Sequence, residues 1–287
     1  MKTRIISAIV MIAIVIAALF VGYSYNSFVI TVFVAVLSVA ATYEILHTIV
    51  KTGTVFRKAV ACVYAAAAFF LVSRVFRISY DVLIGRVNTD TRYLSSLIAL
   101  LLFTTIIYVV IFTVSIIVKK GEFNLKEILA LLGVPLLYSS AFSALECIIT
   151  KPHGIYYLLL VVNFSSICDT GAYFTGVLFG KHKLCEHVSP KKTIEGAVGG
   201  IALSMIATAV LMFAFKIQTN IFVMLGATAL MCIVGMLGDL FASIIKRSVG
   251  VKDYSNLIPG HGGILDRFDS MLFISPAVLS LMLLGVL

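Results

Sequence analysis

The segment VKDYSNLIPGHGGILDRFDSMLFISPAVLSLMLLGVL, residues 251–287, joins two stretches of opposite character. Residues 251–270 carry six acidic, basic or histidine side chains: Lys252, Asp253, His261, Asp266, Arg267 and Asp269. Residues 271–287 contain no ionisable side chain, which is typical of a helix embedded in lipid. The segment therefore predicts a charged loop at a membrane surface, followed by a helix within the membrane.

The composition of the whole chain also indicates a membrane protein. Of its 287 residues, 61% are hydrophobic and 12% are charged, whereas soluble domains are about half apolar. Only helices and closed barrels satisfy all backbone polar groups in lipid, and apolar runs of about 20 residues indicate helices. The predicted fold class is an all-α, polytopic helical bundle of about nine transmembrane helices, at 5–22, 28–46, 58–76, 93–118, 127–148, 155–180, 194–215, 221–245 and 264–287.

The distribution of Lys and Arg predicts the orientation of these helices. With the N-terminus in the cytoplasm, 16 of the 22 basic residues lie on the cytoplasmic side. The other six are Arg74, Arg77, Arg86, Arg92, Lys151 and Lys216. We therefore predict a cytoplasmic N-terminus. The first apolar run is predicted to be a retained span, because no small-residue cleavage site follows it.

Charge and cysteine usage narrow the function classes. The net charge of +9 is spread over many loops, so nucleic-acid binding is not predicted. The five cysteines are scattered and odd in number, which indicates no disulfide framework.

Glu44 and Glu146 lie near the ends of predicted spans, where a carboxylate can reach the interface. Residues 1–150 are thus predicted to be a scaffold, with dimerisation or lipid access as further roles, and residues 151–287 a catalytic region with its active site at the cytoplasmic face.

Two polar stretches precede the charged loop. In residues 163–183, Asn163, Ser166, Asp169 or Thr170, and Tyr173 recur at helical spacing, so they are predicted to share one helix face. That face is either a packing seam or, at Asp169, a functional site. The second stretch, HVSPKKTIEG at residues 187–196, leads into a helix whose free N–H groups attract anions. It predicts either a phosphate site or a flank that fixes topology, and its candidate residues are Ser189, Lys191, Lys192 and Thr193.

Carboxylates on the eighth and ninth predicted helices are expected to lie at the same depth. Asp239 and Ser243 share a face with Lys246 and Arg247, and Asp266 and Asp269 are three residues apart. Facing carboxylates repel unless a cation lies between them, and Mg²⁺ takes one or two carboxylates plus water and phosphate oxygens. Asp239 and Asp266 are the predicted Mg²⁺ ligands.

The turn at residues 259–263 is rich in glycine. Gly262 and Gly263 precede a helix, so their backbone N–H groups are predicted to form a phosphate cradle. The nearby cations could neutralise the acids in salt bridges, but they exceed what the acids require: Lys246, Arg247, Lys252 and Arg267. The combination predicts a nucleoside triphosphate with a metal ion rather than a transport pathway.

Residues 243–269, read as S-x-IKR-x₄-KD-x-S-x₂-IP-x-HGGI-x-DRFD, resemble the signature of phosphatidate cytidylyltransferases, also called CDP-diacylglycerol synthases. The stretches CDTGAYFTGVLFGKHKL (168–184) and SPKKTIEG (189–196) resemble earlier motifs of that family. The resemblance covers roughly the C-terminal 45% of the chain. It implies a dimeric enzyme of the inner (cytoplasmic) membrane that joins CTP and phosphatidate, with a divalent metal, to give CDP-diacylglycerol and pyrophosphate.

The resemblance also implies roles for individual residues. Asp239 and Asp266 would hold Mg²⁺, and Asp269 or Asp169 would be a third ligand or bind a second cation. Lys191 and Lys192 would contact CTP or the lipid head group. Asp253 would support the site or contact cytidine, and His261 would contact phosphate or handle a proton. The residues that would bind phosphates directly are Lys246, Arg247, Lys252 and Arg267.

Two other functions use the same residue types. A CTP-dependent lipid kinase would use the same cations and metal but transfer the γ-phosphate. A cation transporter would use Asp169, Asp239 and Asp266 as an ion path, which predicts acids spread through the membrane depth. The predicted clustering of these acids at one face favours the transferase.

The predicted orientation can be tested with impermeant thiol reagents. In a background with the native cysteines replaced by serine, Leu184→Cys and Asn256→Cys should be labelled in inverted vesicles but not in intact cells, because both loops carry cytoplasmic-type basic residues. Gln218→Cys, in a loop predicted on the opposite side, is the control and should show the reverse. Labelling of Leu184→Cys and Asn256→Cys in intact cells would invert the topology.

Overall fold

The computed structural model describes residues 2–50, 55–85, 91–119, 125–185 and 189–287. Helices dominate these ranges, and two short strands form an antiparallel hairpin. The elements are α1 Lys2–Ser24, α2 Phe28–Ile49, α3 Val55–Leu83, α4 Thr91–Lys119, α5 Leu125–Thr150, α6 Gly154–Val162, a π-helical turn Asn163–Ile167, α7 Cys168–Phe179, β1 Lys183–Cys185, β2 Ser189–Thr193, α8 Ile194–Phe215, α9 Ile221–Ser248, α10 Leu265–Phe268 and α11 Met271–Leu283.

The helices have the lengths that a membrane requires. Among the described residues, eight helical segments are long and apolar enough to cross a bilayer, with α6, the π-helical turn and α7 counted as one segment. This confirms the predicted fold class, a polytopic helical bundle, and the chain is a multi-pass membrane protein.

The ninth predicted span is wrong in its detail. Residues 264–287 are not one helix: α10 has four residues, α11 has 13, and α10 ends before Asp269. Asp269 Oδ1 accepts a hydrogen bond from the N–H of Ser270 at 2.8 Å, a local bond that competes with helix continuation. The spacing of Asp266 and Asp269 predicted that they share one helix. This prediction is wrong, because α10 ends between them.

The chain divides into two compact units. The first comprises Met1–Thr150 and Asp253–Arg267, and the second comprises Lys151–Lys252 and Phe268–Leu287. In the first unit, α2, α3 and α5 pack together around buried side chains such as Leu46 and Leu131. The rings of Tyr64 and Tyr108 stack there with centroids 4.3 Å apart, and Tyr108 donates a hydrogen bond to the carbonyl of Leu131.

A buried ion pair lies within the first unit. Glu146 is 0% exposed and pairs with Arg77. Its carboxylate also accepts hydrogen bonds from Thr31 Oγ1 at 2.6 Å and Ser73 Oγ at 2.7 Å. The Glu146 side chain therefore does not extend to solvent, because its partners lie on neighbouring helices inside the unit. Those bonds link α2, α3 and α5.

In the second unit, α7 and α8 pack closely through glycines. A Cβ atom on Gly200 would lie 2.5 Å from the carbonyl oxygen of Cys168, and one on Gly196 would lie 2.6 Å from that of Ala172. Small residues permit such close approach of membrane helices. This packing sets the distance between two walls of the cavity described below.

The π-helical turn changes the predicted polar face. Asn163 is fully buried, and its Nδ2 donates to Ser204 O at 3.0 Å and Thr208 Oγ1 at 2.9 Å. Ser166, Asp169 and Tyr173 are exposed instead. Asn163 is therefore a packing residue and does not share their face, because the π-helical turn interrupts the 3.6-residue repeat.

Replacing Gly200 by alanine should loosen the α7–α8 packing. The added Cβ would overlap the Cys168 carbonyl, and overpacking costs about 1–3 kcal/mol. We expect the melting temperature in detergent to fall by several degrees. Gly226→Ala is the matched control, since a Cβ there meets no atom within 4 Å and alanine favours helix by about 1 kcal/mol. Equal stability of the two variants would contradict the packing argument.

Candidate active site

The candidate residues fall in both units, and each unit is described by itself. The first unit contains Asp253, His261, Gly262, Gly263, Asp266 and Arg267. The second unit contains Asp169, Ser189, Lys191, Lys192, Thr193, Asp239, Lys246, Arg247, Lys252 and Asp269.

The second unit contains a cavity of about 240 Å³. Its walls come from α7, the β1–β2 hairpin, α8 and α9. Asp169 contributes from the first turn of α7, Lys192 from β2 and Asp239 from α9. The remaining lining residues include Tyr173, Ser189, Lys191 and Thr193. Helix packing thus brings together polar residues that lie in three separate parts of the sequence.

Lys192 and Asp239 form an ion pair in this cavity. The Nζ atom of Lys192 is buried, and among the described residues it has no hydrogen-bond partner of ordinary geometry besides this ionic contact. An ammonium group has three donors, and a buried donor needs an acceptor. Lys192 can therefore bind a further anionic oxygen while it stays beside Asp239.

A second acid–base pair lies in the same unit, outside the spanning helices. Asp269 Oδ2 is 3.9 Å from Lys246 Nζ, and both side chains are largely buried. Burial is the main cause that raises the pKa of Asp269 to about 7, and the negative charges of Asp239 and Asp169 act in the same direction. Lys246 and the N–H of Ser270 oppose them. The three carboxylates are therefore close enough to repel one another.

This donor set suits a hard divalent cation. A cation would relieve the repulsion among Asp169, Asp239 and Asp269, and carboxylate oxygens are the ligands that Mg²⁺ prefers. Within the described ranges, no three His, Cys, Asp or Glu side chains converge closely enough to hold a metal ion by themselves. Mg²⁺ would thus take its remaining ligands from water and phosphate oxygens, as it commonly does.

The hairpin beside the cavity is held by Glu195, which was not among the predicted site residues, and by Thr193, which was. Glu195, in the first turn of α8, accepts hydrogen bonds from the N–H of Lys181 at 3.1 Å and from His182 Nδ1 at 2.6 Å. Thr193 caps α8, because its Oγ1 accepts from the N–H of Gly196 at 3.1 Å. The sequence contained a signal for both contacts. Threonine is a preferred N-cap residue, and an acidic residue is favoured in the first turn of a helix.

The predicted phosphate-binding cations at and just beyond the C-terminal end of α9 differ in exposure. Arg247 and Lys252 are exposed, whereas Lys246 is largely buried beside Asp269. Arg247 Nη1 donates to the carbonyl of Val251 at 3.4 Å. Exposed cations have the freedom to meet a polyanion from the aqueous side.

In the first unit, the predicted residues fold the loop on itself. Asp266 Oδ2 accepts from the N–H of Tyr254 at 2.8 Å and of Gly263 at 3.0 Å. Arg267 Nε donates to the carbonyl of His261 at 2.9 Å. Gly262 has a φ of +84°, a backbone conformation that favours glycine. Asp253 is exposed. The roles of these residues toward a ligand stay predictions.

Glu44 has contacts that its sequence position did not predict. It is 5% exposed and accepts hydrogen bonds from the N–H groups of Ile264 and Leu265, so its side chain is held inside the unit and does not extend to solvent. Its partners lie about 220 residues away in sequence, which no local pattern reveals. The available signal was a carboxylate within an apolar span.

Comparison with known proteins identifies the family of the chain. The sequence pattern of the Cytidylyltransferase family matches residues 2–284. The chain belongs to the Cytidylyltransferase family. Its signature residues thus lie in a chain that matches the family almost from end to end, including the helices of residues 1–150, which carry no recognisable motif of their own.

Curated relatives of this family member are similar over part of their length. A phosphatidate cytidylyltransferase of Staphylococcus aureus (strain COL) is 44% identical over 127 residues, 44% of this chain and 49% of the relative. That of Staphylococcus haemolyticus is 47% identical over 127 residues, with the same coverage of 44% and 49%. That of Staphylococcus saprophyticus is 43% identical over 137 residues, 48% of this chain and 52% of the relative. The chain spans about half the length of the curated relatives that it matches.

Proposed function

We propose that this protein is a phosphatidate cytidylyltransferase, which transfers CMP from CTP to phosphatidate and gives CDP-diacylglycerol and pyrophosphate. The observation that carries the proposal is the cavity of the second unit, where the ammonium group of Lys192 lies with the carboxylates of Asp169 and Asp239. The similarity to proteins named phosphatidate cytidylyltransferase supports it. Neither a lipid kinase nor a transporter has comparable support.

The transfer of CMP requires no covalent bond between the protein and its substrates. An oxygen of the phosphatidate phosphate attacks the α-phosphorus of CTP, and a new P–O bond forms. The bond from the α-phosphorus to the bridging oxygen breaks, and its electron pair leaves with pyrophosphate. Such transfers depend on positioning the two phosphates and on neutralising charge in the transition state.

The residues of the second unit are suited to that task. Lys192 would bind a phosphate oxygen inside the cavity, with Lys191 on the same wall. Lys246, Arg247 and Lys252 would hold the triphosphate near the aqueous side.

Mg²⁺ fits the carboxylates described above. In the second unit, Asp239, with Asp269 or Asp169, would hold it, and Asp266 stays a predicted ligand. When bound, Mg²⁺ would supply positive charge that offsets the negative charge of the phosphates. Lys192 and Lys246 keep the acids paired in its absence. The dependence on Mg²⁺ and any second cation are part of the proposal.

The cellular setting follows from the substrates. CTP is dissolved in the cytoplasm and phosphatidate is anchored in the bilayer, so the active site would lie at the cytoplasmic face of the inner membrane. We include a homodimer in the proposal, as the family resemblance implies.

Removing the charge of Asp239 tests the role of the second unit's carboxylates. Asp239→Asn should reduce turnover by roughly a thousandfold or more, because loss of a metal ligand removes several kcal/mol of charge stabilisation. Asp266→Asn should have a similar effect. Asp81→Asn makes the same chemical change outside the candidate site and should retain activity. Near wild-type activity of Asp239→Asn or Asp266→Asn at saturating Mg²⁺, with unchanged melting temperature, would remove that residue from the metal site.

Labelled CTP decides between a transferase and a kinase. With purified protein, phosphatidate and Mg²⁺, label at the α-phosphorus should appear in the chloroform-soluble product, and γ-label should leave in pyrophosphate. γ-Label in the lipid phase would show a kinase. No lipid label from a folded protein, together with metal flux in vesicles, would show a transporter. Asp239→Asn protein is the control for background incorporation.

A further inference from the structure

Glu44 makes three hydrogen bonds to one loop of the first unit. We name residues 253–267 the signature loop. The Oε1 atom of Glu44 accepts from Ser255 Oγ at 2.7 Å and from the N–H of Ile264 at 3.0 Å. Its Oε2 atom accepts from the N–H of Leu265 at 2.8 Å. One buried side chain of α2 therefore contacts the loop at two points nine to ten residues apart.

Two further contacts on the same helix point to the same role. Thr48, one turn beyond Glu44 on α2, donates to the carbonyl of Tyr254 at 3.0 Å. Gly263 lies so close to Glu44 that a Cβ atom there would be 2.5 Å from Oε2. The loop thus packs against α2 with its backbone, and a side chain at position 263 would disturb this packing.

These contacts control the position of Asp266. The residues that Glu44 binds, Ile264 and Leu265, directly precede Asp266 in the chain. Asp266 in turn accepts from the N–H groups of Tyr254 and Gly263. The two carboxylates therefore bind alternating parts of one loop, and a shift of the 264–265 backbone would move Asp266 with it.

A carboxylate is the side chain that this arrangement requires. The first N–H groups of a helix have no partner within the helix, and Leu265 begins α10. All three partners of Glu44 are donors, and an ionised carboxylate has only acceptors. Glutamine has the same shape, but its amide nitrogen would face one of these N–H or O–H groups. The charge of Glu44 is thus compensated by directed hydrogen bonds inside the unit.

We propose that Glu44 is a positioning residue for the signature loop: it fixes the backbone at Ile264 and Leu265 and thereby the position of the Asp266 carboxylate. The consequence for turnover rests on the proposed function, in which Asp266 is a predicted Mg²⁺ ligand. The anchoring of the loop does not, and it can be measured without any activity.

The test is Glu44→Gln, followed by amide hydrogen exchange of the purified full chain. Exchange of peptides covering 263–266 should be faster than in the wild type by roughly tenfold or more, because a charged hydrogen-bond acceptor is lost. Peptides from α3 and α5 should exchange as before. Glu44→Asp, which keeps both acceptor oxygens, should retain more protection than Glu44→Gln. Ser38→Ala is the matched control on α2, since the buried Ser38 hydroxyl has no hydrogen-bond partner among the described residues.

Kinetics form the second part of the test. Glu44→Gln should raise the Mg²⁺ concentration needed for half-maximal activity by roughly tenfold, while Ser38→Ala leaves it unchanged. A protein that proves not to be a cytidylyltransferase gives no activity in any variant, yet the exchange result still decides whether Glu44 anchors the loop.

Several outcomes would overturn the proposal. Unchanged exchange at 263–266 in Glu44→Gln would show that Glu44 does not hold the loop. Uniformly faster exchange in α2, α3 and α5 would show a general structural role instead. If Glu44→Gln does not fold, two other variants weaken the same packing. Thr48→Val removes the contact to the Tyr254 carbonyl, and Ser255→Ala removes the contact to Glu44 together with the hydrogen bond that Ser255 Oγ accepts from the N–H of Leu257. Local loss of protection in them supports the proposal, and wild-type protection in both overturns it.

Discussion

A carboxylate inside an apolar helix must find partners within the protein, because lipid offers none. Leaving one buried charge uncompensated costs several kcal/mol, which is comparable to a large part of a protein's net stability. The chain meets this constraint in three ways. Glu146 pairs with Arg77, Asp239 pairs with Lys192, and Glu44 binds backbone N–H groups. Each solution fixes which segments of its unit lie side by side, so the acids determine packing as well as chemistry.

The same constraint explains why folding and function overlap in this chain. The Lys192–Asp239 pair joins two walls of a cavity. It also places one positive and one negative side chain where a bound ligand can contact them. Asp266 folds the signature loop through two backbone hydrogen bonds and is also a predicted metal ligand. Burying a polar group in a membrane protein costs free energy. A group that serves both folding and function therefore reduces the number of polar groups that must be buried.

The sequence predicted those features that depend on local periodicity. Long apolar runs predicted the helices. Helical spacing predicted that Asp239 and the basic residues of α9 share one helix face. Asp169 and Lys192 could be nominated from their motifs, but their convergence on one cavity depends on α7–α8 packing, which follows from glycine contacts in three dimensions. The contacts of Glu44 were not predicted for the same reason, since its partners are distant in sequence. The break at Asp269 was missed because hydropathy does not register a local side-chain hydrogen bond.

At the glycine-rich turn, a phosphate would compete with hydrogen bonds that the protein already makes. The sequence of the turn predicts free N–H groups, yet the N–H of Gly263 is donated to Asp266, and those of Ile264 and Leu265 to Glu44. A backbone N–H has one hydrogen, so a phosphate there would have to displace a carboxylate of the protein. A lysine ammonium has three, so Lys192 can keep Asp239 and still bind a phosphate oxygen. Recognition of phosphates by Lys192 of the second unit therefore requires no rearrangement of existing hydrogen bonds, whereas recognition by the N–H of Gly263 does.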